Sequence, residues 1–446
     1  VRLRRGLDLP IGGTPQPITE DARAVGSVAL MPPDHPGLKI RLLVREGDPV
    51  ARGQVLFQDR FEPSVRFVSP RAGTVSHIHR GERRAIQSVV VAVDPQGAPA
   101  QAAPPPAAEP DAWEDGEEVR RRLLACGLWT ALRSRPFGRI PRPDASADAV
   151  FITAMDTNPL AGPLDAVLPP LVEDLLRGAR VLTTLTTGTV HLCTDARTVL
   201  PAVEHPRIRV TAFSGPHPAG LVGTHMQRLD VPSRERAIWY VGWQDVVAIG
   251  RLAATGVMWM DRYVALGGPP VTRPRWLLTA LGASVADLVS GEVADTPCRF
   301  VSGSVLSGRQ AAGWGGFLGR YHNQISVLPQ PADDAPPRRR RAFSYHRPWK
   351  RRSKAAAWTT ALHGRSAPLI PLVTFERVVP LDILPTALLR ALLIDDLDAV
   401  ERLGCLELEE EDLALCSFLC PSKIDYGALL RRSLDQLASE FTDRQP

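Results

Sequence analysis

Val44-Arg45-Glu46-Gly47-Asp48-Pro49-Val50 leads into Gly53-Gln54-Val55-Leu56-Phe57 and then into Ser69-Pro70-Arg71-Ala72-Gly73-Thr74-Val75. Apolar residues alternate within each run, and glycines and prolines stand between the runs. This pattern predicts short, half-buried strands joined by tight turns. Val65-Arg66-Phe67-Val68 and Gly73–Ile78 continue it, so residues 1–93 read as a small β domain.

Working outward, Asp94–Ala112 carries six prolines among many alanines. Such a segment cannot form helix or inner strand, and 94–112 reads as an extended linker. Residues 113–255 alternate helix and strand signals. Helix is expected over Glu117–Leu132 and Leu164–Leu176, the latter broken early by Pro169-Pro170. Strands are expected at Ala149–Ala154, Ala179–Leu185, Arg207–Phe213 and Ala237–Val241. This alternation argues for an α/β domain. In 256–328, strand-like Trp276–Leu281 precedes Ser284-Val285-Ala286-Asp287, a capping-box pattern opening a short helix that Gly291 ends. Strand-like Cys298–Val305 follows. One helix over a small sheet suggests a β-grasp module. Residues 329–379 form a basic connecting segment. The tail, 380–446, reads as four helices: Leu384–Leu393, Leu397–Leu403, Glu410–Leu419 and Tyr426–Phe441.

At about 100–200 residues per domain, 446 residues suggest two to four domains. With 44% hydrophobic and 23% charged residues, wholesale disorder is excluded. Even the apolar run Asp245–Met260 carries Arg251, which argues against a transmembrane helix. No apolar stretch follows Arg2, Arg4 and Arg5, so no secretory signal is expected. Six unclustered cysteines fit a reducing compartment. The net charge of +5 is too mild for a nucleic-acid partner unless concentrated on one face. One concentration exists: residues 338–354 hold nine basic residues and no acid, with Tyr345 and Trp349 interleaved. It suits anionic headgroups, an acidic partner or nucleic acid, and equally a solvated loop.

Several chemistries lack their residues. Gly313–Gly319 fails the dinucleotide spacing, and Gly215-Pro216-His217-Pro218-Ala219-Gly220-Leu221-Val222-Gly223 loses two amide donors to proline. Cys416-Ser417-Phe418-Leu419-Cys420-Pro421 ends like a ferredoxin cluster motif, but Glu410 and Leu413 stand where two more cysteines belong. Cys405 is a third thiol at a non-standard spacing. His217 and His225 are the histidines best placed for a polar role.

The β unit resembles the biotinyl/lipoyl carrier domain, a flattened β-sandwich. The attachment lysine of a carrier would sit at the tip Asp59-Arg60-Phe61-Glu62-Pro63. Arg60 cannot form that amide. No lysine lies between Lys39 and Lys350. The module reads as a rigid docking surface.

Longer stretches resemble the A-subunit family of the sodium-translocating NADH:quinone reductases. They are Gly6–Ile11, Arg80–Val90, Thr153-Ala154-Met155-Asp156-Thr157-Asn158-Pro159-Leu160, Phe213–His225 and Gly404–Leu408. The resemblance implies a fold related to the flavoprotein component of respiratory complex I, without its flavin and iron–sulfur sites. The expected architecture is therefore α/β multidomain: a biotinyl/lipoyl-like β-sandwich, a Rossmann-like α/β domain, a β-grasp (soluble-ligand-binding) domain and a C-terminal helical bundle.

The resemblance also implies a peripheral subunit on the cytoplasmic side of the bacterial inner membrane, with no cofactor or metal of its own. Its partners would be the other subunits, chiefly the membrane flavin-carrying one, together with the membrane surface and ubiquinone. Two segments carry the implied quinone contact. Met31, His35 and Leu38 lie in one, and Arg135, Phe137 and Arg139 in the other. A quinone site needs an apolar slot with a few donors for the carbonyls. The alternative for both segments is an interface between subunits. At the level of the chain, the alternatives are an electron-transfer subunit with flavin and cluster, and a pure docking scaffold.

Overall fold

Gly47 and Gly53 adopt left-handed φ of 91° and 82°, which turn the chain between the short N-terminal strands. The computed structural model describes residues 1–95, 113–330, 360 and 373–443. The N-terminal unit has two small antiparallel sheets. One runs in the order Ser27–Leu30, Ile86–Val93, Gly73–Arg80, Pro49–Val50, and the other in the order Ile40–Leu42, Val55–Asp59, Arg66–Val68. Alternation puts Phe57 and Phe67 on the inner face, where their rings stack at 4.6 Å. The expected linker from residue 96 onward and the whole basic run 338–354 lie outside the described residues.

The second unit is a five-stranded sheet in the order Ile208–Phe213, Val190–Asp195, Ala149–Ala154, Ile238–Gly242, Arg133–Arg135. The first four strands are parallel and the last is antiparallel. Helices Val172–Leu182 and Trp243–Thr255 pack against each other. They approach so closely that a Cβ on Gly178 would lie 2.0 Å from the Val246 carbonyl oxygen.

Three expectations are corrected here. The strand expected at Ala179–Leu185 is helix Val172–Leu182 followed by a 3-10 turn, and the strand is Val190–Asp195. A short apolar run buried on a helix cannot be told from a buried strand by periodicity. The helix expected over Glu117–Leu132 stops at Ala125, because Gly127 turns left-handed (φ 76°) before a 3-10 turn at Leu128–Ala131. Leu164–Leu176 begins as two 3-10 turns, and Pro169-Pro170 delays the α-helix to Val172.

The third unit is a six-stranded sheet whose edge comes from the N-terminus. Thr19–Asp21 runs parallel to Arg275–Ala280; then follow Asp261–Gly267, Gln324–Pro329, Cys298–Ser302 and Arg309–Gln310. Ser284 caps helix Val285–Val289 by accepting from the Asp287 amide. The box is not reciprocal: the Asp287 carboxylate accepts from Gly26 N at 2.9 Å, and Ser284 N donates to Ser27 O.

Five α-helices, Val373–Val378, Pro385–Leu393, Leu397–Arg402, Ala414–Leu419 and Tyr426–Asp443, form the described C-terminal unit. The helix expected over Glu410–Leu419 starts as a 3-10 turn at Glu410–Leu413. Cys405, Cys416 and Cys420 are free and buried in the core of this unit, which also takes in Leu7, Leu9 and Ile11 from the far end of the chain. Among the described residues no helix is long and apolar enough to cross a membrane.

Gly178→Val should lower unfolding free energy by about 3 kcal/mol, since the added methyls meet backbone that cannot retreat. A urea titration checks this. An unchanged midpoint would mean the two helices can separate freely.

Candidate cavity and charge network

Strand Ser27–Leu30 ends in a 3-10 turn at Pro32–Asp34, where proline costs no needed amide. The turn buries Met31 and His35. Asp34 is held by Arg309 Nη1 at 2.5 Å and by Arg320 N at 2.8 Å. Tyr321 Oη donates its one proton to Thr130 O at 2.9 Å, so the 3.0 Å bond to His35 Nδ1 must be donated by the imidazole. Neutral His35 therefore carries its proton on Nδ1, and Nε2 is the acceptor. Burial lowers the His35 pKa to about 3, with Arg320 and Arg133 helping and Asp34 opposing.

Met31 and His35 line a cavity of about 60 Å³, together with Asp34, Phe67, Asp245 and Arg320. At about 15 Å³ per water that is room for about four waters. Its polar wall is a buried cluster. Asp245 accepts from Arg262 Nη2 at 2.5 Å and from Arg320 Nη2 at 2.9 Å. Burial opposes ionisation of Asp245, but the two guanidiniums outweigh it and hold the carboxyl below its ordinary range. Gln244 is fixed by Tyr263 O and Asn323 Oδ1.

The other expected site residues lie elsewhere. Leu38 packs against the main core and does not line the cavity. Arg135 is fully buried at the joint between the parallel sheet and the C-terminal helices. It pairs with Asp412 at 2.9 Å and donates to Glu407 O at 2.5 Å. Arg133 pairs with Glu409 at 3.4 Å and stacks over Tyr240 and Tyr321, 4.5 and 4.2 Å from the ring centres. Tyr240 Oη also donates to Glu409. Phe137 sits edge-on to Phe441 at 5.2 Å, and its carbonyl accepts from Arg431. Arg139 lies 3.6 Å from Asp435 and covers Gly37, where a Cβ would fall 2.7 Å from its Nε. The two segments thus touch at Gly37 and Arg139, but only the first reaches the cavity.

His217 and His225 are buried structural groups. His217 N donates to Asp8, and His225 Nε2 donates to Ala219 O. Asp245, Arg262, Arg320 and Tyr321 were not singled out from sequence. Asp245 had a signal: it is the one acid on a mostly apolar helix, and such a group needs a buried partner.

Two outcomes follow from this geometry. Asp245→Asn leaves Arg262 and Arg320 facing each other without a counter-charge. It should cost about 3–5 kcal/mol in a urea titration; a loss below about 1 kcal/mol would mean water reaches the cluster. The second concerns pH. Burial also lowers the pKa of His191, His217, His225 and His322 to about 4 each. The unfolded chain therefore takes up protons near 6.5 that the folded chain refuses until about 4. Their stabilisation is complete above that upper value and is lost as pH falls toward the lower one. The urea midpoint should drop between about pH 7.5 and about pH 5; a flat profile contradicts the burial of these rings.

The chain matches three family models: the NqrA N-terminal barrel-sandwich hybrid domain over residues 1–94, the NqrA second alpha/beta domain over 114–258, and the NQRA C-terminal domain over 263–313. It is 44% identical over 453 residues to the A subunit of the Na(+)-translocating NADH-quinone reductase of Neisseria meningitidis serogroup A, covering 99% of this chain and 100% of that protein. The corresponding A subunit of Neisseria gonorrhoeae strain NCCP11945 is 44% identical over 451 residues, with the same coverage of both chains. That of Yersinia pestis is 42% identical over 454 residues, again covering 99% of this chain and 100% of the relative. With full-length identity at this level, the chain belongs to the NqrA family, the A subunits of the Na(+)-translocating NADH-quinone reductases.

Proposed function

We propose that the chain is the peripheral, redox-silent component of a sodium-pumping NADH:ubiquinone reductase. In this reading it sits on the cytoplasmic side of the bacterial inner membrane, helps hold ubiquinone and docks on the membrane flavin-carrying subunit. It binds no flavin, cluster or metal itself. We read 1–93 as biotinyl/lipoyl-like, 113–255 as Rossmann-like, 256–328 as β-grasp and 380–446 as a helical bundle.

The observation that carries the quinone part is that Met31 and His35 meet a buried arginine cluster at one cavity. Met31 and Phe67 offer an apolar wall. Arg320 and Arg262 offer donors for a carbonyl oxygen, and His35 Nε2 offers an acceptor for a quinol hydroxyl. A benzene-sized ring fills a cavity of about 150 Å³. Ring entry therefore requires the half-buried Trp259 side of the cavity, about 60 Å³ as it stands, to draw back.

His35→Asn tests this reading. The asparagine amide keeps a donor toward Tyr321 but, being shorter, places no acceptor at the Nε2 position. In the assembled complex the KM for ubiquinone should rise about fivefold, the worth of one hydrogen bond. NADH oxidation by an artificial acceptor should stay unchanged. An unaltered KM places the quinone elsewhere.

A further inference from the structure

The exposed face of the three-stranded N-terminal sheet carries cations that no acid answers. Arg41, Gln58 and Arg66 are in register across Ile40–Leu42, Val55–Asp59 and Arg66–Val68. Arg60 N donates to Lys39 O and extends the pairing by one step. Lys39, Arg41, Arg60 and Arg66 are all exposed, while Leu42, Phe57 and Phe67 fill the opposite face. None of the four makes an ion pair or side-chain hydrogen bond with another described residue. The arginines of the two buried clusters, by contrast, find carboxylates.

The hairpin tip adds an apolar group. Phe61 is 79% exposed, and Leu43, on the cationic face, is 47% exposed. At the tip, Asp59 Oδ1 accepts from Phe61 N at 2.8 Å and from Glu62 N at 3.4 Å. Glu62 accepts from Ser64. Both acids of the tip are thereby tied to local donors. The loop holds an aromatic ring out in solvent, with cations on the sheet behind it.

We propose that this face binds an anionic phospholipid surface, with Phe61 entering the headgroup layer. Strands lie about 4.8 Å apart, so the charges form a broad, shallow sheet of positive potential rather than a pocket. Such a sheet suits a planar layer of phosphates, and a projecting phenyl suits the layer beneath. The proposal extends the peripheral-subunit reading. Its test uses neither quinone nor a partner protein, so either can fail without the other.

The purified full chain should float with vesicles of phosphatidylcholine containing about one-third phosphatidylglycerol and not with phosphatidylcholine alone. Salt should release it. Arg41→Gln with Arg66→Gln should weaken binding about 25-fold, taking about fivefold per cation. Phe61→Ser should weaken it separately, and the melting temperature of each variant should match the parent. Arg80→Gln with Arg84→Gln, off this face, should leave binding intact. Equal binding by the Arg41/Arg66 variant overturns the proposal. So does equal loss in the Arg80/Arg84 control, indifference of the parent to anionic vesicles (as a face meant for an acidic protein would show), or dependence only on Arg338–Arg341.

Discussion

A guanidinium stripped of water must find its counter-charge within the protein, and Arg135 is the residue on which that constraint falls hardest. It has no exposed surface, and Asp412, Glu409 and the Glu407 carbonyl surround it. Those acceptors come from the C-terminal helices, whereas Arg135 belongs to the edge strand of the parallel sheet. Neither unit can leave without exposing an unpaired buried charge. The same rule acts at the cavity, where Asp245 from a helix of the parallel-sheet unit is clamped by Arg262 and Arg320 of the third unit. Two ion clusters therefore join three units, beside single polar contacts such as Gln244 to Tyr263 O and Gln324 to Pro159 O.

The N-terminal segment adds a hydrogen-bonded version of the same joining. Leu3 N bonds to Ser214 O, Gly6 N to Arg377 O, and Thr19–Asp21 completes the edge of the third sheet. In about twenty residues the chain visits every unit except the one it then builds. This gives glycines of the Gly-Pro loop a packing role. Gly6 and Gly215 leave no space for a Cβ where the two segments cross, and His217 N is taken by Asp8.

The elements of the fold were legible where a local rule was strong. Gly47, Gly53 and the alternating strands between them mark the N-terminal sheets, and Ser284 marks its helix start, because turn and cap chemistry act over a few residues. Ala179–Leu185 was misread because β-branched residues buried on a helix look like a strand until the partner helix is known. Of the residues lining the cavity, Met31 and His35 belong to a segment that the family resemblance singled out. Asp245, Arg262 and Arg320 were not, because an ion pair between distant residues leaves no mark at either position except an isolated charge. Phe137 and Arg139 form a motif in sequence, yet their side chains turn to the C-terminal helices.

By itself, then, the amino-acid order determined the family, the strand-and-turn character of the first unit, and the absence of a carrier lysine at the hairpin tip. All three are local: spacing, turn residues and one missing amine suffice to read them. Only the tertiary structure decided which charges meet, which proton His35 carries, and that one sheet face keeps four cations unanswered. Those outcomes depend on contacts between residues tens to hundreds of positions apart, where desolvation and geometry, not periodicity, set the pairing.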